Sequence, residues 1–158
     1  MNRKKRRGAR NAYGGSISEF GPALALLLIC FFFPLVDLIS IGISYCSCML
    51  LNDLQVHEAA LIPWKKAKSA TGPVRHDIPL EWMDAGVGKF VKVQLPIKTK
   101  VSYRTGQAGD KIVAVSTTVT CSPFLPIPVP VANVPGLNGP MTFNITSERT
   151  MENPDYGD

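Results

Sequence analysis

Side chains able to do chemistry are sparse in this chain, and two carboxylates stand out by their surroundings. Glu19 sits at the edge of an apolar run that extends from Gly21 to Leu51, and Asp37 lies inside it. An acidic side chain at membrane depth is expensive, so it is expected to face protein, water or the headgroup boundary. The chemistry on offer is pairing. His57 and His76 are the only histidines, and no metal-ligand spacing relates them. A nucleophile pair of Cys121 and His76 can be written down, but nothing near either residue supports it. No glycine loop of the phosphate-cradling type is present. The sequence therefore predicts no active site, no metal and no cofactor, and the chain is not expected to be an enzyme.

The elements that position these residues are legible from composition. The chain has 158 residues, 17 basic and 12 acidic. Six of the basic residues, Arg3, Lys4, Lys5, Arg6, Arg7 and Arg10, crowd the first fourteen positions, where no acidic residue occurs. The remaining charges nearly cancel, so the net charge of +5 belongs to the tail. A nucleic-acid reading needs basic residues clustered on a folded surface. Here they flank an apolar run, where positive charge holds a terminus on the cytoplasmic side. No nucleic-acid partner is expected.

The run from Gly21 to Leu51 exceeds the roughly 20 residues that cross a bilayer. It is longer than the 7–15 residue core typical of a cleavable secretory signal, and no Ala-x-Ala site follows it. Pro22 fits a first helical turn. Pro34 is expected to kink the helix or loosen its hydrogen bonds near residues 30–34. Asp37 either marks the outer end of the span or packs against a partner helix. An amphipathic extension is expected through Asn52–Ile62, with Leu51, Leu54 and Ala59 along one side and Asp53, Gln55 and Glu58 mostly elsewhere. Pro63 ends it.

Arg6-Arg-Gly-Ala-Arg10, followed by Ser16-Ile-Ser-Glu-Phe-Gly-Pro-Ala-Leu-Ala-Leu-Leu-Leu28, resembles the N-terminus of TadE-like and TadG-like proteins. These are pseudopilin-type minor components of the tight adherence (Flp, type IVb) pilus system. Pro34-Leu-Val-Asp37 is similar to the family's Pro-then-acidic pattern, and Asp53-Leu-Gln-Val-His-Glu-Ala-Ala60 to the helix that follows. Thr142-Phe-Asn-Ile-Thr-Ser-Glu-Arg-Thr-Met-Glu152 is similar to the closing strand. The resemblance implies a basic leader removed by a prepilin peptidase between Gly14 and Gly15, which makes Glu19 the fifth residue of the mature chain. Cleavage after Gly15 is the alternative and makes it fourth. In a fibre the Glu19 carboxylate would pair with a neighbour's new terminal amine. Phe20, Pro34 and Asp37 would share the helix packing with Glu19. The implied partners are the lipid bilayer, other pilin or pseudopilin subunits, the peptidase and the tight adherence membrane platform. The implied place is a bacterial cytoplasmic (inner) membrane, single-pass, with the N-terminus cytoplasmic and the C-terminal domain outside. The implied role is pilus assembly in cell adhesion or a related secretion system. A plain single-pass anchor presenting an extracytoplasmic binding module is the alternative.

Beyond Pro63, prolines, glycines and Lys65, Lys66 and Lys68 make residues 63–88 a polar transition. Val91, Val93, Leu95, Ile97, Thr99, Val101 and Tyr103 then alternate with polar residues. Such a pattern predicts a long half-buried strand, or two with a break at Pro96. Gly106–Gly109 reads as a hairpin loop and Lys111–Cys121 as the return strand, with Val113, Val115, Val119 and Cys121 on one face. Six prolines between Pro123 and Pro140 predict an extended loop, which is expected to lie over its own domain. Met141, Phe143 and Ile145 open a last strand. Cys30, Cys46 and Cys48 lie in the apolar run and Cys121 alone in the outer domain, so a disulfide framework is not expected and Cys121 reads as a buried thiol. The predicted fold is α+β: one long N-terminal transmembrane helix with an amphipathic extension, packed on a small antiparallel β-sheet. The predicted divisions are a cytoplasmic leader at 1–14, the helix at 15–62 and a β-rich extracytoplasmic domain at 63–158.

Overall fold

The computed structural model describes residues 15–107, 109–125 and 134–157. The basic residues Arg3 to Arg10, Gly14 and the middle of the proline-rich loop lie outside the described residues.

One rod dominates the molecule. Helix α1 (Gly15–Leu27) runs through a π-helical turn (Leu28–Phe32) into α2 (Phe33–Leu61). The wide turn has an identifiable cause. Pro34 has no N–H to give the carbonyl four residues back, and its ring crowds that carbonyl. Just ahead of it the ladder lengthens by one residue, and the Phe33 N–H donates to the Leu28 carbonyl. The loosening expected near residues 30–34 is a π-turn rather than an open kink. At the far end Ile62 turns to extended backbone before Pro63, and the helix stops.

Residues 63–88, read from the sequence as a polar transition, are mostly helical. Helix α3 (Trp64–Lys68), a π-turn (Pro73–Asp77), α4 (Ile78–Asp84) and a 3-10 turn (Val87–Phe90) follow one another. The prolines that suggested punctuation stand at or just before helix starts, where a missing N–H costs nothing. Strands therefore occupy only the later part of residues 63–158.

Strands β1 (Val93–Thr105), β2 (Lys111–Cys121) and β3 (Met141–Thr150) form an antiparallel sheet in the order β1-β2-β3. β1 is one strand with an irregularity. Its register shifts between Gln94 and Lys98, around Pro96, which an edge strand tolerates. The shift turns Leu95 outward, 70% exposed, against the inward position that strict alternation predicts. Gly109, at φ +84°, closes the β1–β2 hairpin in a conformation that disfavours any Cβ. On central β2, Val113, Val115, Thr117, Val119 and Cys121 all point into the core. The opposite face carries cross-strand polar pairs such as Thr120–Thr142 and Ser116–Asn144. One apolar and one solvated face suit an antiparallel sheet covered on one side only.

The cover is the second half of the long helix. Two apolar clusters lie between α2 and the sheet. One, toward the helix C-terminus, joins Val56, Ala59 and Ala60 to Val113, Val115 and Met151. The other joins Cys48 and Leu51 to Trp82, Val119, Cys121 and Phe143. The result is α+β, with, among the described residues, a single helix near the N-terminus that is long and apolar enough to cross a membrane.

Candidate functional site on the long helix

The residues singled out by sequence lie along one helix but in different environments. Gly15 opens α1, and Glu19 and Phe20 are within it. Phe20 is exposed, and so is almost every residue that follows through Phe32. Pro34 begins the more covered half. Asp37 is the first fully buried residue of α2.

Asp37 has a partner within its own chain. Its Oδ1 accepts a hydrogen bond from the Leu125 backbone N–H at 2.9 Å. A carboxylate binding a backbone N–H makes one of the stronger classes of hydrogen bond. The described start of the proline-rich segment is thus tied to the helix, and Lys92 Nζ holds the Phe124 carbonyl at 2.9 Å beside it. The described return of the segment also meets the helix. Gly136 takes φ +87° against Ile41, where a Cβ would strike that side chain. These two ends lie on the chain's own domain. Asp37 Oδ2 has no partner among the described residues.

The next feature was missed by sequence reasoning. Leu54, expected inward, is 51% exposed, while Gln55, expected outward, is fully buried. Asn52 is buried beside it. Between the two apolar clusters these side chains form a polar layer with the sheet. Asn52 Nδ2 donates to the Val115 carbonyl at 3.0 Å and to Thr117 Oγ1 at 3.1 Å. Gln55 Nε2 donates to the Val74 carbonyl at 2.6 Å and to Thr99 Oγ1 at 3.0 Å. Thr117 donates back to Gln55 Oε1 at 2.6 Å. Thr99 and Thr117 are register partners on β1 and β2. A signal did exist: threonines at two inward strand positions, and amides three apart on the helix. Three apart is one helix face, and inward hydroxyls need buried partners. Asn52 Oδ1 alone in this layer is buried without a partner among the described residues. The other hydrogen bonds fix which turn of the helix meets which strand residue, because any slip breaks them and leaves further buried groups unpaired.

The remaining candidates do not form a catalytic group. Cys121, expected without a partner, shares one buried cluster with Cys48 at the helix–sheet interface. His76 is exposed and pairs with neighbouring Asp77 at 2.9 Å. His57 is half-buried on α2. Among the described residues, no group of three His, Cys, Asp or Glu side chains could hold a metal. A cleft of about 540 Å³ opens between α2 and α4, floored by Leu50, Leu54 and Trp82 and rimmed by Asp53, Glu58 and Glu81.

The outward face of α2 is the last element. Leu38, Ile39, Ile43, Met49, Leu50 and Leu54 are exposed along it, while Asp37, Ser44, Ser47, Asn52 and Gln55 point inward. Over this stretch the helix is more polar toward its own domain than away from it. Comparison with protein-family models, with curated proteins and with solved structures finds no match for this chain.

Proposed function

We propose that the chain is a TadE-like minor pilin or pseudopilin, a component in assembly of a tight adherence (type IVb) pilus or related secretion system. The observation that carries this reading is the inverted face of α2. A helix serving only a water-soluble domain turns its polar side outward. Here the outward side of residues 38–50 is apolar and continuous with the uncovered apolar surface of Phe20–Phe32, and the first charged residue on it is Asp53. Counted from Phe20, the roughly 20 residues that cross a hydrocarbon core end near Ile39. The chain's own loop first covers the helix at about that depth, at Asp37. The exposed apolar face therefore continues past the expected span, and helices of other pilin-type subunits are the partners that would cover it.

In this reading residues 1–14 are the cytoplasmic leader and a prepilin peptidase cuts at Gly14–Gly15. Glu19 then pairs with a neighbouring subunit's terminal amine. The sheet domain lies outside the bacterial cytoplasmic membrane. Intact mass and N-terminal sequence of the protein from its native membrane test it. A chain beginning at Gly15 or Ser16 is expected. One that still carries Arg3–Arg10 sinks the processing step and with it the pilin reading.

The cleft with the acidic rim favours a second reading, a single-pass anchor presenting a binding module. Glu19→Ala separates the two. It abolishes assembly in the pilin reading and changes nothing for a plain anchor.

A further inference from the structure

Cys48 and Cys121 are distant in sequence and adjacent in the fold. Cys48 is on the inward face of α2, one turn beyond Ser44, and Cys121 is the last residue of central strand β2. Both belong to the apolar cluster that contains Leu51, Trp82, Val119 and Phe143. Cys48 is fully buried and Cys121 nearly so. Cys121 also lines a small void together with Ser44, the residue one turn ahead of Cys48 on the same inward face of the helix. Cys30 and Cys46 are exposed on the helix.

A single buried cysteine is a small hydrophobe. Two in one buried cluster, one on each side of an interface between a rod and a sheet, are what a cross-link needs. We propose that Cys48 and Cys121 form a disulfide that ties the long helix to the central strand. The proposal rests on the extracytoplasmic placement of the sheet domain, since disulfides form and persist in oxidising compartments. The oxidant is a disulfide, carried by a small thiol compound or by a thiol–disulfide oxidoreductase. One cysteine thiolate attacks a sulfur of that disulfide, displaces one thiol and leaves a mixed disulfide. The second thiolate then attacks the cysteine sulfur of the mixed disulfide, and the second thiol leaves. The chain loses two protons and two electrons, and the donor disulfide becomes two thiols. The link closes a loop of about 70 residues, long enough for a sizeable effect on the unfolded chain.

The test uses the full chain extracted from its membrane in detergent without reductant. It is unfolded in N-ethylmaleimide, and the labels are counted by intact mass and located by peptide mapping. Labels on Cys30 and Cys46 only are expected, together with a linked Cys48–Cys121 peptide that vanishes on reduction. Reduction of the folded protein is expected to lower Tm by ~10 °C. Cys46→Ser keeps the link, and Cys121→Ser frees Cys48 for labelling. If all four cysteines take the label, the same protein is incubated, still folded, with excess oxidised glutathione and relabelled. A link formed then supports the cysteine pair and overturns the extracytoplasmic placement. Four labels after that treatment overturn the disulfide itself.

Discussion

The two halves of the long helix are built from similar residues and behave oppositely. From Phe20 to Phe32 the surface is apolar all round, and among the described residues almost nothing covers it. From Phe33 to Leu61 one face meets the sheet, and that face carries Asp37, Ser44, Ser47, Asn52 and Gln55 among its smaller apolar residues. Hydrophobicity alone thus misidentifies the inside of this helix. In the second half most of the large aliphatic side chains face outward, Leu51 being the main exception, and the domain is held by two modest apolar clusters with a polar layer between them. The change occurs at the π-turn before Pro34 and the Asp37–Leu125 bond after it. Contact with the sheet, rather than amphipathicity, decides which face is inward.

That contrast breaks most sharply at the polar layer. Gln55→Ala removes three hydrogen bonds and leaves Thr99, Thr117 and the Val74 carbonyl short of partners in a buried interface. Unpaired buried groups and the cavity together are expected to cost about 4 kcal/mol. Leu51→Ala, at a fully buried site, is expected to cost about 3 kcal/mol. Leu26→Ala, in the uncovered half, is expected to change the domain's stability by less than about 0.5 kcal/mol. Denaturant titration in detergent, followed by fluorescence of the buried Trp82, ranks the three. Equal losses at Leu26 and Leu51 would erase the distinction between the halves.

The boundary itself is sharpened at Asp37. Asp37→Ala strands the Leu125 N–H, with an expected cost of about 1–2 kcal/mol. Asp37→Asn keeps an acceptor oxygen and is expected to cost less than about 1 kcal/mol. Amide exchange at Leu125 reads the same contact locally, fast in the alanine variant and slow in the asparagine one. Fast exchange in the unaltered protein would remove the bond from the argument.

The outward face gives a smaller stability effect and a larger functional one. Leu50→Asn combined with Leu54→Asn is expected to shift domain stability by less than about 0.5 kcal/mol, because both side chains are exposed. Exposed Cys46 lies on the same face, and its oxidative cross-linking between copies in native membranes is expected to fall in the double variant. Undiminished cross-linking would mean that the face meets lipid or water rather than other helices.

The sequence spelled out what depends on short-range pattern. Alternation located β2 and β3, and Pro34 located the disturbed turn. Pro63 located the helix end. What it concealed depends on partners far away in the chain. Gln55 reads as outward until Thr99 and Thr117 are seen to lie beneath it, and Leu54 reads as inward until the sheet is seen to cover the other side. Cys121 looks solitary because its neighbour Cys48 sits in what reads as a membrane span. Prolines at helix starts in residues 63–90 look the same as prolines that break structure. For the candidate site, Pro34 and Asp37 could be picked out but not their surroundings, since the Leu125 bond joins positions 88 apart.

The smallest effect expected lies at the end of the rod farthest from Phe20. Tyr103 is half-buried against the last turns of α2, with its hydroxyl a long 3.5 Å from the Ala59 carbonyl. Burial pushes the phenol up from its ordinary value of 10 to about 12, because the phenolate loses more hydration than the phenol. Lys68 lies 5.4 Å from the ring centroid, and burial still sets the direction. The folded state therefore favours the protonated form. The resulting stabilisation is fully present below pH 10 and is lost as the pH rises from 10 through about 12. Partial exposure makes the effect modest. Tyr103→Phe keeps the ring, drops the weak hydroxyl contact and is expected to remove this alkaline loss while barely changing stability at neutral pH. Ultraviolet titration of the phenol together with denaturant midpoints at pH 9 and 11 checks both parts. A phenol titrating near 10 in the folded protein would mean that the helix end does not rest on β1, and that the polar layer holds the rod to the sheet without support beyond it.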